Sequence, residues 1–127
     1  MANLADYKVI KDNSTHIGSH QNHEFNFILA DNVVKSAQAQ RPYLVLTETI
    51  EGGLPGSVSI ALNGHIIENR EGDINNLLSI NIANTRVVLF DGGLLNTGSN
   101  TLKFSVISQN NLSLDLDMVI VHFQRDV

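Results

Sequence analysis

The sequence predicts an all-β fold, an antiparallel β-sandwich of about eight strands arranged like a jelly roll. Three observations predict it: apolar and polar residues alternate along most of the chain, turn signals recur about every ten residues, and helical periodicity is nearly absent. In chain order, residues 1–22 read as polar and irregular, with an apolar patch at Tyr7, Val9 and Ile10 that suits an edge strand. Phe25, Phe27 and Leu29 then share one face of a strand. Asp31 to Gln40 reads as a loop with room for a turn of helix, since an isolated helix this short is marginal in water. Tyr43 to Ile50 carries the Val, Ile, Thr and aromatic residues that suit a pleated surface, as do Leu78 to Ile82 and Arg86 to Phe90. Val58, Ile60 and Leu62 face inward with Ser57 and Ser59 outward, and Asn63-Gly64 joins this run to His65–Ile67 as a hairpin turn. Leu102, Phe104 and Val106 form another inward face. The C-terminal run places Leu112, Leu114, Leu116, Met118 and Ile120 opposite Ser113, Asp115 and Asp117. Beyond Asp117 both faces turn apolar, as expected of a central strand.

Composition narrows the function. A chain of 127 residues suits one domain, residues 1–127, able to bury its own core, and the absence of Cys excludes disulfides and thiolate metal sites. Eight Lys+Arg against 13 Asp+Glu give a net charge of -5, the wrong sign for nucleic acid or an anionic bilayer. No run approaches the ~20 apolar residues of a membrane-spanning helix, so no membrane insertion is expected. Met1 to Lys8 shows no basic stretch leading into an apolar one, so no signal peptide is visible. A cytoplasmic chain, or one processed or secreted by another route, is the expectation.

Three segments together resemble the galactose-binding-domain-like jelly rolls, β-sandwiches that occur as carbohydrate-binding modules and as accessory domains beside glycosidases and polysaccharide lyases. They are the strand–Asn-Gly–strand of Val58 to His65, the loop and strand entry of Leu94 to Phe104 with its Gly98-Ser99-Asn100-Thr101-Leu102, and the closing strand Leu114 to His122. The resemblance implies a ligand site in loops at one end of the sandwich, and usually no catalysis.

If successive strands are antiparallel, loops alternate between the two ends. Counting strands gathers residues 13–22, 51–56, 70–76 and 91–100 at one end, with Glu51, Arg70, Glu71, Asp73, Asp91, Asn96 and Asn100 as candidate ligand-binding residues. Residues 31–42, Asn63-Gly64, Ala83 to Thr85 and Ser108 to Asn111 fall at the other. Carboxylates, amides and an arginine supply the donors and acceptors that sugar hydroxyls need, and the same oxygens suit a bound Ca²⁺. His16, His20 and His23 form a cluster of the kind a transition metal needs, although Gly18 and Ser19 argue for a solvated loop. Asp115 and Asp117 share a face and read as solvated strand carboxylates. No Gly-x-Ser-x-Gly elbow or phosphate-cradling loop is present, so no enzyme is expected.

The leading expectation is therefore non-catalytic recognition of a carbohydrate through the loops at one end. The alternative is a structural or assembly protein that binds a protein partner or its own copy through the sandwich. The absence of Trp favours it, as do the apolar residues Ile66, Ile67, Val88 and Val121, which are expected to face outward and to drive formation of a homo-oligomer.

Overall fold

Among the described residues, alternation gives most strands one apolar face, and two sheets close over those faces to bury them. A computed structural model describes residues 3–34, 41–52, 56–72, 83–108 and 111–126. The strands are β1 (Asn3–Lys11), β2 (Thr15–Ile17), β3 (Gln21–Leu29), β4 (Tyr43–Glu51), β5 (Gly56–Leu62), β6 (His65–Gly72), β7 (Ala83–Leu89), β8 (Gly98–Ser108) and β9 (Ser113–Asp126). One sheet has five strands in the order β1-β9-β4-β7, with β2 also paired to β9; the other has four, in the order β3-β8-β5-β6. Every pairing is antiparallel. This is the sandwich that the alternation predicts. Its core contains Leu44, Leu46, Val58, Ile60, Leu102, Phe104, Leu114 and Val121, all essentially inaccessible to solvent. Each such side chain contributes about 1.5–3 kcal/mol by leaving water. Among the described residues no helix is long and apolar enough to cross a membrane.

The N-terminal segment departs from the irregular reading: β1 and β2 both pair with β9 and form one edge of the five-stranded sheet. Its outer side chains, Tyr7 and Val9 among them, are exposed, so half of its alternation is apolar without being buried and the sequence pattern is blurred.

A bulge in β9 explains why both of its faces turn apolar. Thr47 pairs with Met118 and Glu48 with Leu116, which leaves Asp117 as an extra residue. One extra residue reverses the facing of everything after it. Leu114 and Leu116 face the core before the bulge, whereas Val119, Val121 and Phe123 face it afterwards. Met118 and Ile120, expected on the core side, point to the outer face instead, and Val121, expected outside, is fully buried. Val88 is likewise buried rather than outward, because Val87 and Leu89 take the outer face of β7.

Lys11 caps this irregularity. A register shift between Val9 and Lys11 turns its side chain inward, where Nζ donates to the Leu116 carbonyl at 2.9 Å and lies 3.5 Å from that of Asp117. Its ammonium also sits 5.9 Å from the centroid of the Phe25 ring. Burial pulls the Lys11 pKa below its ordinary 10.5, against the opposing charges of Asp117 and Asp12. The folded state therefore gives up this proton before the unfolded chain does, so the unfolded state binds more protons in that window. Stability gains with rising pH between the lowered value and 10.5, and the gain is lost as pH falls. Thermal melts are expected to show wild type gaining stability relative to Lys11→Met as pH is raised toward 10.5. Parallel pH profiles for the two proteins would contradict this account of Lys11.

The strand ends define two poles. Gln21, Glu51, Gly56, Gly72, Ala83, Ser108 and Ser113 lie toward one, so the β2–β3 turn and the strand ends that flank the β4–β5, β6–β7 and β8–β9 connections belong there. The β3–β4, β5–β6 and β7–β8 connections lie at the other, beside the paired ends Asn3 and Asp126. This corrects the strand count. Residues 91–100 lie with 31–34, 41–42 and Asn63-Gly64, and Ser108 and Asn111 join 18–21, 51–52 and Gly56. The count takes Ala83 to Thr85 as a turn, but these residues pair with Thr49 to Thr47 as the start of β7. Removing one turn moves every later connection to the opposite pole. The expected strand Leu78 to Ile82 lies outside the described residues, as do residues 35–40 of the Asp31–Gln40 loop. The Asn63-Gly64 hairpin forms as expected, with φ of 50° and 85°.

Candidate functional site

The predicted site residues separate. Glu51 is exposed at the first pole, at the end of β4, and Glu71 lies on β6 opposite Ser57; Asp73 is outside the described residues. Asp91, Asn96 and Asn100 lie at the second pole. Asp91 accepts the Gly93 N–H at 2.9 Å and caps a short 3₁₀ turn, Gly92–Leu94. Asn100 is buried and its amide is fully engaged. Oδ1 accepts from Asn63 Nδ2 at 2.9 Å and from the Asn96 N–H at 2.8 Å, while Nδ2 donates to the carbonyls of Asn96 at 2.8 Å and Gly98 at 3.1 Å. That side chain holds the loop and the Asn63-Gly64 hairpin together.

Arg70 is committed to the interior. β4 alternates Leu44, Leu46, Glu48 and Ile50 toward the core, so Glu48 is driven between the sheets with only 1% of its side chain exposed. The edge strand β6 of the facing sheet answers with Arg70 and Glu68, and β7, paired beside β4, answers with Arg86. Arg70 Nη2 lies 2.8 Å from Glu48 Oε1 and donates to Oε2 at 3.0 Å, and its Nε is 2.7 Å from Glu68 Oε1. Arg86 Nη2 donates to Glu68 Oε2 at 2.8 Å, with its Nε 3.7 Å from Glu48 Oε1. The contacts at the two Oε1 atoms are close but poorly directed, so the hydrogen bonds proper run to the Oε2 atoms. Two carboxylates and two guanidinium groups cancel in charge and clamp one sheet to the other.

The histidines also separate. His16 projects from the outer face of β2 with Nδ1 2.6 Å from Asp115 Oδ1; His20 sits in the turn with φ of 59°, and His23 packs its ring 4.5 Å from that of Phe25 on the other sheet. Among the described residues no group of three or more His, Cys, Asp or Glu side chains is arranged to hold a metal ion. Asp115 and Asp117 flank the buried Leu116 on the outer side of β9, where Asp115 meets His16 and Asp117 is the exposed bulge residue.

What the topology does assemble is a ring row on the outer face of the five-stranded sheet. Tyr7 and Tyr43 both pair with His122, from either side. The Tyr43 ring stacks on the imidazole at 4.6 Å and 10°, and Tyr7 lies 6.1 Å from it at 36°. Tyr7 is 61% exposed. Leu89 follows opposite Tyr43, and Val9, Ile120, Val45 and Val87 form a second, aliphatic row alongside. With strands ~4.8 Å apart, each row is ~14 Å long. Stacked rings fix one another, while their hydroxyls and imidazole nitrogens remain able to hydrogen-bond.

Two depressions border the ring row at the second pole. A cleft of ≈ 60 Å³ lies among Arg41, Pro42, Tyr43, His122 and Gln124, with room for about two waters, so a ligand there lies on the face rather than within it. A groove of ≈ 240 Å³ lies around the sheet edge among Arg41, Ile66, Ile67, Leu89, Asp91 and Leu94. Arg41 lines both. The sequence showed only the apolar patch containing Tyr7. Strict alternation puts His122 on the core face with Met118 and Ile120; it is the β9 bulge that turns it outward and the strand order β1-β9-β4 that makes the three rings neighbours.

No protein-family model matches the chain, and no curated protein matches it in sequence. Solved structures are similar in fold. Dimeric latent PorU from Porphyromonas gingivalis has a TM-score of 0.65 at 14% identity, over 99% of this chain and 13% of that one. BpGH86A, a β-porphyranase of glycoside hydrolase family 86 from the human gut bacterium Bacteroides plebeius, has a TM-score of 0.61 at 14% identity, over 95% and 20%. The CBM36-1 domain of a multidomain xylanase from the hindgut metagenome of Trinervitermes trinervoides has a TM-score of 0.53 at 9% identity, over 93% and 96%. The chain thus spans at most a fifth of the length of the first two and nearly all of the third. At these identities the likeness shows the fold alone, the jelly-roll β-sandwich that the three resembling segments implied.

Proposed function

We propose that this chain is a non-catalytic carbohydrate-binding module whose ligand lies across the Tyr7–His122–Tyr43 row. The observation that carries this reading is the row itself, three rings on adjacent strands of an otherwise solvent-facing sheet. A sugar ring is amphipathic: its C–H face meets the negative face of an aromatic ring and apolar neighbours, while its hydroxyls need planar or phenolic partners. The exposed Tyr7 ring and the aliphatic row supply the first kind of contact, while Tyr43 and His122, whose faces stack on each other, and the flanking Gln124 supply the second through their polar edges. The likeness to a carbohydrate-binding module supports the reading at the level of fold.

Affinity electrophoresis through gels containing different polysaccharides tests it. At least one polysaccharide is expected to retard the wild type, and Tyr43→Ala and Tyr7→Ala are each expected to weaken retention about tenfold, equivalent to about 1.4 kcal/mol. Full retention by Tyr43→Ala, or free passage of the wild type through every gel, would remove the proposal.

The aliphatic row favours a second reading, in which this face docks on a protein partner or another copy. Val87 is 60% exposed and Val9 43%, beside the half-buried Val45 and Ile120. A stable dimer by light scattering that Val87→Lys dissociates, with no polysaccharide retained, would select this reading.

A further inference from the structure

On the premise that the ring row is a sugar site, we propose that Arg41 reads an anionic substituent, so that the preferred saccharide carries carboxylate or sulfate groups. The chain has four arginines, and three are spent on internal charges. Arg70 and Arg86 clamp Glu48 and Glu68, and Arg125 lies 2.8 Å from Asp6. Arg41 is exposed and has neither an ion pair nor a hydrogen bond among the described residues. It stands where the ring-row cleft meets the groove.

The chemistry of that position is specific. A guanidinium is always charged, weakly hydrated and forked, and it matches the paired oxygens of a carboxylate or sulfate with two parallel hydrogen bonds. Pro42 follows it directly, and its carbonyl accepts the Phe90 N–H at 3.2 Å, which ties the base of Arg41 to the end of β7. Asp6, the acid in the cleft, is already neutralised by Arg125. Asp91, on the groove, has one oxygen engaged by Gly93 and retains the other as an acceptor for a sugar hydroxyl. The groove is smaller than the ~300–1,000 Å³ of a drug-sized pocket, so it suits one sugar ring or its substituent at the end of a chain laid along the rings. The whole chain carries a charge of -5, which opposes unspecific attraction to polyanions. An anion preference would therefore come from local contacts.

The test compares gels of a neutral galactan, a carboxylate-bearing polygalacturonan and a sulfated galactan at ~0.15 M salt, where long-range attraction is screened within about 8 Å. Wild type is expected to be retarded at least tenfold more by one of the two anionic gels than by the neutral one, and which of them does so identifies carboxylate or sulfate. Arg41→Gln is expected to lose that preference and keep its neutral-gel retention, whereas Tyr43→Ala loses retention on every gel. If Arg41→Gln retains the anionic preference, or wild type favours the neutral gel, the role of Arg41 is overturned while the ring site survives. If Tyr43→Ala is retained like wild type, or nothing retards the wild type, the sugar site falls and Arg41 with it.

Discussion

Replacing Glu48 by Ala is expected to destabilise the fold by about 3–5 kcal/mol, a loss large enough to threaten folding in a domain of this size. Glu48 is buried to 1% exposure between the sheets and faces two guanidinium groups. Removing it leaves Arg70 and Arg86 sharing the single carboxylate of Glu68, with an uncompensated positive charge in a poorly hydrated space. Arg86→Ala is expected to cost less, since that side chain is 28% exposed and water can take over part of its role. Replacing all four by apolar residues of similar volume is expected to restore much of the stability, because the penalty of holding charges in the interior disappears with them. Urea midpoints at constant slope measure each effect. A Glu48→Ala midpoint within error of wild type would show that the clamp contributes nothing.

The second large effect is expected at Asn100. Asn100→Ala removes two acceptor and two donor contacts at once, leaving Asn63 Nδ2, the Asn96 backbone and the Gly98 carbonyl short of partners. Unsatisfied groups of this kind cost about 1–3 kcal/mol, and part of the loop can rehydrate, so a total of about 2–3 kcal/mol is expected. Asn100→Asp separates geometry from bulk. It keeps the shape but points a second carboxylate oxygen at the Asn96 and Gly98 carbonyls, and is expected to be at least as damaging as Ala. Increased amide exchange should concentrate in the 91–100 loop and at Asn63, whose Oδ1 accepts the Thr101 N–H at 2.8 Å. An Asn100→Asp protein as stable as wild type would refute the network.

Some of these features were legible in the residues. Glu48 interrupts the inward series Leu44, Leu46 and Ile50, so the period of two already places a charge in the core. Its partners were not legible, because Arg86 comes from β7, which lies beside β4 only through a pairing distant in the chain, and Arg70 comes from β6 of the other sheet, which meets Glu48 only when the two sheets stack. Arg70 therefore read as a loop ligand although it serves the interior. Asn100 stood in a segment that resembles a family turn, yet nothing local showed that its amide would bridge to Asn63, 37 residues away. The bulge at Asp117 was visible only as two apolar faces in succession, the pattern also expected of a strand covered on both sides.

The sequence by itself determined the all-β class, the hairpin at Asn63-Gly64 and most inward faces, because alternation and turn chemistry act over a few neighbouring residues. Tertiary structure alone decided which loops share a pole and which side chains form the outer ring row. A single misplaced turn at Ala83–Thr85 reverses every later connection, and Tyr7, Tyr43 and His122 become neighbours only through pairing between strands far apart in the chain. Periodicity tells a side chain which face it occupies; strand order tells it who stands beside it.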